Sequence, residues 1–547
     1  MDGPSLHTKA GHYDHHCRWL AAILILGSAL VRLVYLGWDC PLDLAPDEAH
    51  YWDWSRHLDW SYYSKGPGVA WLIRLSCELF GNLSVMLTGN EMPAVRLPAI
   101  ICGSLLLTSL FVLTVQVSGR PRLALLVVAV ALTTPTLSAG STLMTIDSPY
   151  SCCWGWALVF GYRAVFRQSR LAWWAAGVLV GLGILFKYTM VLWLPSLGLF
   201  LLATPQYRPL LGSRGFWNLT ALAALSAVPI VIWNASHDWV TFHHVSGLAG
   251  LRQDEPRVHW LGPLVLVAVQ CALWLVFWFI VWVRAMVRYA PWRQPAPALG
   301  YLWWMSAPMF GVFFAFGFKT GGGEPNWPAT AYISGIVLAV LWLVDDLREA
   351  RGWYRRSALA GLTAACVIGV LLTLLVHGSA WIDPLLAPLA GPVTPEQPFP
   401  LRRLDPTLRL RGWRTLAAEV DRIRAKLREQ NIEPVLAATG WSMPGLLGFY
   451  CDGHPTAYSL GAALGDRRSQ YDFWRPNPIS DSEQFVGRTF VIVTHGAFAP
   501  LNAFDSVKSY RVIHVENGQP VAGWVVTVCH GYRGFGPQAD PAKIRHY

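Results

Sequence analysis

Asp47, Glu48, Asp53, Arg56, His57, Asp59 and Lys65, all able to do acid, base or ionic chemistry, fall in one short stretch of this chain, PDEAHYWDWSRHLDWSYYSKGPGVAWLIRL. They alternate with Tyr and Trp rings and follow directly on an apolar run. Asp47 and Glu48, both candidate catalytic carboxylates, come after Pro46, which suits the first turn of a helix whose positive end favours carboxylates. A simple capping role for Asp47 is the ordinary alternative. Lys65 stands in SerLysGlyProGly, where Gly66 and Gly68 allow close backbone approach and Pro67 stiffens the turn. An ammonium there would hold a phosphate as a point charge, and snorkelling toward lipid headgroups is its ordinary alternative.

A second carboxylate, Asp147, lies in ThrIleAspSerPro at 145–149. Two carboxylates in one site can divide the work on an acceptor hydroxyl or amine, one taking its proton and one orienting it or balancing charge. Further polar clusters stand between apolar runs: Lys187, then Asp238 with His243 and His244, then Lys319 ahead of GlyGlyGlyGluProAsnTrpPro. Lys187 and Lys319 are added candidates for a phosphate. His243 and His244 with Asp238 are candidates for a divalent metal, although adjacent histidines rarely reach one ion together. Arg56 and Tyr63 are candidate donor contacts, and His243, His244, Glu324, Asn326 and Trp327 candidate contacts to donor or acceptor.

The surroundings of these residues are those of a membrane protein. Hydrophobic residues make up 54% of the 547 positions and charged residues only 14%, with a mean hydropathy of +0.35. The net charge of +10 is spread over short loops rather than gathered on one face, which argues against nucleic-acid binding. Apolar runs from Trp19–Leu36 to 357–377 predict about eleven helical spans. The pair flanking Lys187 is the least separable. If the N-terminus is cytosolic, the Arg-rich loops around 120–122, 163–170, 208–214, 284–293 and 348–356 all fall inside. Arg56, Lys65, Arg74, Lys187, Arg252, Arg257 and Lys319 then form the sparser outer set, so the unusual polar clusters face outward.

Beyond Val376 the pattern changes. Residues 379–412 are Pro-rich and read as a surface linker. Apolar positions Leu416, Val420, Ile423 and Leu427 recur at helical spacing, and strand-like runs follow at 434–438, 489–493, 510–515 and 524–528. This predicts three parts: a membrane domain over 1–378, a linker over 379–412 and a small outer α/β domain over 413–547. Cys451 and Cys529 could pair there if the compartment is oxidising.

The 46–75 stretch resembles the first outer loop of the bacterial family 39 and 83 glycosyltransferases of the GT-C superfamily, the group of dolichyl-phosphate-mannose protein mannosyltransferases and aminoarabinose transferases. ArgLeuPro at 96–98, MetThrIleAspSerPro at 144–149, PheLysTyrThr at 186–189, HisAspTrpValThrPhe at 237–242, GluProAsnTrpProAlaThrAlaTyr at 324–332 and ArgArgSerGlnTyrAspPheTrp at 467–474 extend the likeness. The resemblance implies a polytopic helical GT-C fold with interfacial helices in the first outer loop. It implies a polyprenyl-phosphate sugar donor and a glycolipid, glycan or protein acceptor, used on the periplasmic side of the bacterial inner membrane. It gives Asp47 the part of catalytic base, Asp147 that of its assistant and Lys65 the lipid phosphate. No nucleotide is required, in keeping with the lack of a phosphate-cradling Gly-rich motif. A transporter or flippase of a lipid-linked sugar is the alternative from another class; it calls for mid-span polar residues and repeat symmetry.

Overall fold

A computed structural model describes residues 6–38, 40–250, 258–496 and 502–535. Arg252 and Arg257 of the outer charge set lie outside the described residues.

The chain opens with a long helix, α1 (Leu6–Gly37), followed by a short one, α2 (Pro46–Arg56). Next come α3 (Gly68–Thr88), α4 (Met92–Ser118), α5 (Pro121–Leu132) and a single short turn, α6 (Pro135–Gly140). Two helices, α7 (Asp147–Phe166) and α8 (Arg170–Phe186), then lead to Lys187, which is extended rather than helical. After it a 3-10 turn enters α9 (Trp193–Ala203). The apolar pair around Lys187 is therefore two elements, and the break delivers the lysine.

The second half of the bundle holds α10 (Arg214–Ala235), α11 (Val240–Leu248), α12 (Gly262–Leu273), α13 (Phe277–Arg288), α14 (Pro297–Trp304), α15 (Ala307–Thr320), α16 (Ala331–Glu349) and α17 (Gly352–His377). Among the described residues, six helices have the length and composition to cross a bilayer. A seventh candidate is α12 with α13, bent by 116° at the break between them. The predicted run at 260–283 is thus one broken element.

One of the six, α3, lies outside the apolar runs read as spans from the sequence. Three residues link α3 to α4, so two antiparallel spans would set Ser76 opposite a residue about 28 positions further on, near Ser104. Ser76 instead donates to the Ala94 carbonyl at 2.6 Å, at the very start of α4. The other end of α3 abuts Leu185 and Phe186, just before Lys187. The first half of α3 is thus held between the start of α4 and the end of α8, while Leu75, Leu79, Leu83 and Met86 are exposed.

The segment read as a linker is packed rather than free. It includes α18 (Asp383–Ala390) and ends at Arg411, a buried guanidinium bonded to Asp383 at 2.7 Å and Glu516 at 2.6 Å. A buried cation needs such partners. Then α19 (Trp413–Glu429) lays Leu416, Val420, Ile423 and Leu427 against a sheet. That sheet contains β1 (Val435–Ala438), β2 (Ala457–Ser459), β3 (Phe490–Thr494), β4 (Phe504–Glu516) and β5 (Gln519–Tyr532), with α20 (Met443–Tyr450) between the first two strands. Strand order is β2-β1-β3-β5-β4, parallel on one side of β3 and antiparallel on the other. The short β2 is the strand that periodicity misses, since three residues are too few to show alternation. Cys451 lies in the core beneath one face of the sheet and Cys529 in the core on the other; both are unpaired.

Two large cores hold the molecule together. One lies within the helical bundle. The other joins α2, the start of α4 and the loop before α7 to α19, α20 and the sheet. The first outer loop and the C-terminal α/β layer consequently share one interior.

Candidate active site

The site is built on α2, and its first turn sorts the two adjacent carboxylates by direction. Glu48 faces inward with no solvent exposure. It receives Arg96 through Nη2 at 2.8 Å and Nε at 3.0 Å, the Met144 amide at 2.7 Å and the Ala45 amide at 2.8 Å. Arg96 spends its remaining donors on the Leu42 and Asp43 carbonyls. The expected catalytic part for Glu48 is corrected by this geometry: it is a fully bonded buried pair that fixes three segments to one another. Ala45 occupies the N-cap position, so Asp47 is free of that duty and opens into a cavity.

The cavity measures about 340 Å³, and its walls carry Asp47, Tyr63, Lys65, Asp147, Lys187, His244, Glu324, Asn326 and Trp327. Segments far apart in sequence thus converge on one chamber. Asp147 sits in the first turn of α7, where it takes the Lys187 ammonium on Oδ1 at 2.7 Å and the Asn326 amide on Oδ2 at 2.6 Å. Lys187 also lies 5.4 Å from the centre of the Tyr150 ring. Asp147 is therefore held in a fixed orientation with both oxygens engaged. Asp47 has a single weak contact, the Tyr51 hydroxyl at 3.3 Å. It is the less restrained of the two carboxylates.

Electrostatics separate them further. Removal from bulk water raises the Asp47 carboxyl above the usual carboxylate range, an effect partly offset by Lys65 and reinforced by Asp147. Lys65 is pulled down from the usual ammonium range by burial and by Lys187, against the opposing pull of Asp47 and Asp147. The His50 ring, packed between Trp54, Trp441 and Tyr471, is driven to about 3 by burial and by Arg467. It is a neutral group at physiological pH.

Glycine places Lys65. A Cβ on Gly66 would overlap the Leu185 carbonyl oxygen, and one on Gly68 would come within 2.8 Å of the Phe186 ring. The SerLysGlyProGly turn is thereby pressed onto the end of α8, one residue short of Lys187. Tyr62 and Ser61 close the turn on the Lys65 carbonyl at 3.0 and 3.3 Å. From the other side, Thr241 bonds the Tyr62 carbonyl, Trp233 bonds Asp59, and Gln470 accepts the Tyr63 amide proton at 2.7 Å.

Three expected contacts lie elsewhere. Arg56 turns away to Asp53 at 3.3 Å and the His454 carbonyl at 2.8 Å, stacked over Trp52. Lys319 lines a neighbouring hollow with Gly250, His259 and the glycines 321–323, sharing only Glu324, Trp327 and Leu248 with the main chamber. His243 is outside the chamber wall while His244 is in it, in ring contact with Tyr63 at 5.0 Å. Adjacent positions on a helix point about 100° apart, which explains the split. Among the described residues no three His, Cys, Asp or Glu side chains form a metal-ligating group.

Sequence reasoning missed the wall contributed by the C-terminal layer: Trp441, Arg467, Arg468 and Ser469. Arg467 lies over the Trp441 ring at 5.2 Å. The motif at 467–474 was the one signal that could have found them, since it is the densest polar run of that half.

Solved structures of ArnT from Cupriavidus metallidurans superpose on 92% of this chain and 97% of theirs. The TM-score is 0.57 for the apo state and 0.60 for the form bound to undecaprenyl phosphate, at 17% identity in both cases. The fold is that of ArnT. Within it, residues 64–233 match the family model described as dolichyl-phosphate-mannose-protein mannosyltransferase. That range starts at the Lys65 turn and runs through Asp147 and Lys187 to α10. Lipid A galacturonosyltransferase RgtD of Rhizobium johnstonii (strain DSM 114642 / LMG 32736 / 3841) is 28% identical over 333 residues. The match covers 59% of this chain and 65% of that relative's length.

Proposed function

We propose that the protein transfers a sugar from a polyprenyl-phosphate donor to a glycolipid acceptor at the outer face of a membrane. The observation that carries this reading is the chamber itself, with one loosely held carboxylate of raised basicity beside a fixed Asp147–Lys187–Asn326 group and a second lysine. Cations outnumber carboxylates on its wall, as a phosphate-bearing donor requires.

Asp47 takes the proton of the acceptor hydroxyl, whose oxygen attacks the anomeric carbon. The bond from that carbon to the phosphate oxygen breaks, and the electron pair leaves with the polyprenyl phosphate, which Lys65 neutralises. A single displacement inverts the anomeric centre. Asp147 anchors Lys187 at the same phosphate, and Tyr63, His244, Glu324, Asn326 and Trp327 are contacts for sugar or acceptor. The mannosyltransferase family model, the undecaprenyl phosphate bound by the ArnT neighbour and the lipid A named for RgtD support donor and acceptor classes.

In this reading the chain crosses the bilayer eleven times, through α1, α4, α5, α7, α8, α9, α10, the bent α12–α13, the broken α14–α15, α16 and α17. The chamber then opens on the periplasmic side of the inner membrane, and the division at 378 and 412 separates membrane domain, connector and outer α/β layer. The test is turnover of a radiolabelled polyprenyl-phosphate sugar onto a glycolipid by purified protein in liposomes. Asp47→Asn losing no activity would remove the base, and no product with any donor offered would overturn the reaction class.

A further inference from the structure

A second concavity lies on the other side of the Glu48–Arg96 core. It is an apolar groove of about 740 Å³ between α1, α17 and the α6 turn, and none of its lining residues lines the chamber described above. Ile23, Leu24, Val31 and Leu374 form its floor and flanks, and Trp38 and Trp381 stand exposed at its rim. Tryptophans in that position mark the membrane–water boundary.

One charge lies inside this groove. Arg32 projects from α1 five residues before the helix ends at Gly37, about 8 Å below the rim at 1.5 Å per residue. Its Nη1 returns to the Ser28 carbonyl of its own helix at 3.0 Å, and its Nη2 reaches the Ser138 hydroxyl at 3.2 Å. Its Nε is buried without any hydrogen-bond partner. No carboxylate pairs with it among the described residues. An unpaired guanidinium at membrane depth is costly, and such groups mark ligand or ion positions. His377 beside it has both ring nitrogens engaged, with the Thr373 carbonyl and the Thr142 hydroxyl. Tyr35 braces His377 through its carbonyl at 2.9 Å, which fixes the outer end of the groove.

We infer that this groove binds an anionic, phosphate-bearing lipid of the outer leaflet, its headgroup phosphate on Arg32 and its chain along Leu24, Val31 and Leu374. Charge complementarity selects the headgroup and the apolar floor selects a lipid over a soluble anion. The site lies apart from the transfer chamber, so a lipid there would be a resident of the fold rather than a reactant.

The test is photo-crosslinking in liposomes with a phosphatidylglycerol carrying a diazirine on its acyl chain, beside a phosphatidylcholine analogue, with labelled peptides located by mass spectrometry. The phosphatidylglycerol probe should label the peptides spanning 19–38 and 367–381 about tenfold more than the zwitterionic probe, the gain expected of one charge-assisted contact. Arg32→Gln should bring the two probes to the same level, and Arg32→Lys should keep most of the difference. Leu24→Trp fills the groove from a lipid-facing position with the charge intact, and it should lower labelling by both probes. Equal labelling of wild type by the two probes, undiminished selectivity in Arg32→Gln, unchanged labelling in Leu24→Trp, or full competition by inorganic phosphate would each overturn the proposal.

Discussion

The two aspartates of the chamber differ in what holds them, and the proposed division of their work follows that difference. Asp147 has both oxygens bonded, whereas Asp47 has one long contact and lies beside Lys65. Asp47→Asn should lower kcat by about two to four orders of magnitude with little change in KM, the range for loss of a general base. Asp147→Asn should mainly raise KM for the donor, because it releases Lys187, and steady-state kinetics with varied donor separate the two. The pH profile follows from the directions of the shifts. Asp47 acts as base only when ionised, so kcat/KM rises with pH through a midpoint above the ordinary Asp value of about 3.9. Lys65 holds phosphate only when protonated, so activity falls again at a pH below the ordinary lysine value of about 10.4. Lys65→Arg keeps its charge at any accessible pH, and the alkaline limb of the kcat/KM profile should move upward in that variant. An unmoved limb would detach Lys65 from the phosphate.

At the scale of elements, the chamber depends on close backbone contacts. Gly66→Ala would push the lysine turn off the end of α8 and shift Lys65 by a fraction of its side-chain length. Misplacement of that size costs about a hundredfold in turnover, so liposome assays should show it while circular dichroism keeps its helical content. Charge and spacing made α2, Lys65, Asp147 and Lys187 legible from the residues alone. They could not tell Glu48 from Asp47, because direction around a helix turn depends on what the neighbouring element offers, here Arg96. Arg56 and Lys319 carried the same chemical signal as Lys65, and only the path of the loop sends them elsewhere. The bend between α12 and α13 and the strand β2 were silent, the first because composition is unbroken across it, the second because it is too short.

For the whole molecule, orientation is the property on which everything outward depends. In intact cells an impermeant thiol reagent should label Leu464→Cys, which lies exposed in the C-terminal layer, and spare Arg351→Cys. The reverse pattern would invert the topology. Helical spans and the α/β layer were readable from periodicity and from the change of composition past Val376, but their union was not. Nothing in either segment announces that α2 and α20 share a core, with Gly445 so close that a Cβ there would come within 2.7 Å of the Ala49 carbonyl.

That shared core sets an order of birth. Asp47 leaves the ribosome nearly four hundred residues ahead of Trp441, and Arg467 follows later still. A chain cut short after α17 has α1 to α17 with Asp47 and Asp147, yet the wall formed by Trp441, Arg467, Arg468 and Ser469 is missing. The chamber is closed by residues made long after Asp47 and Asp147, so a nascent chain carries both aspartates well before that wall exists.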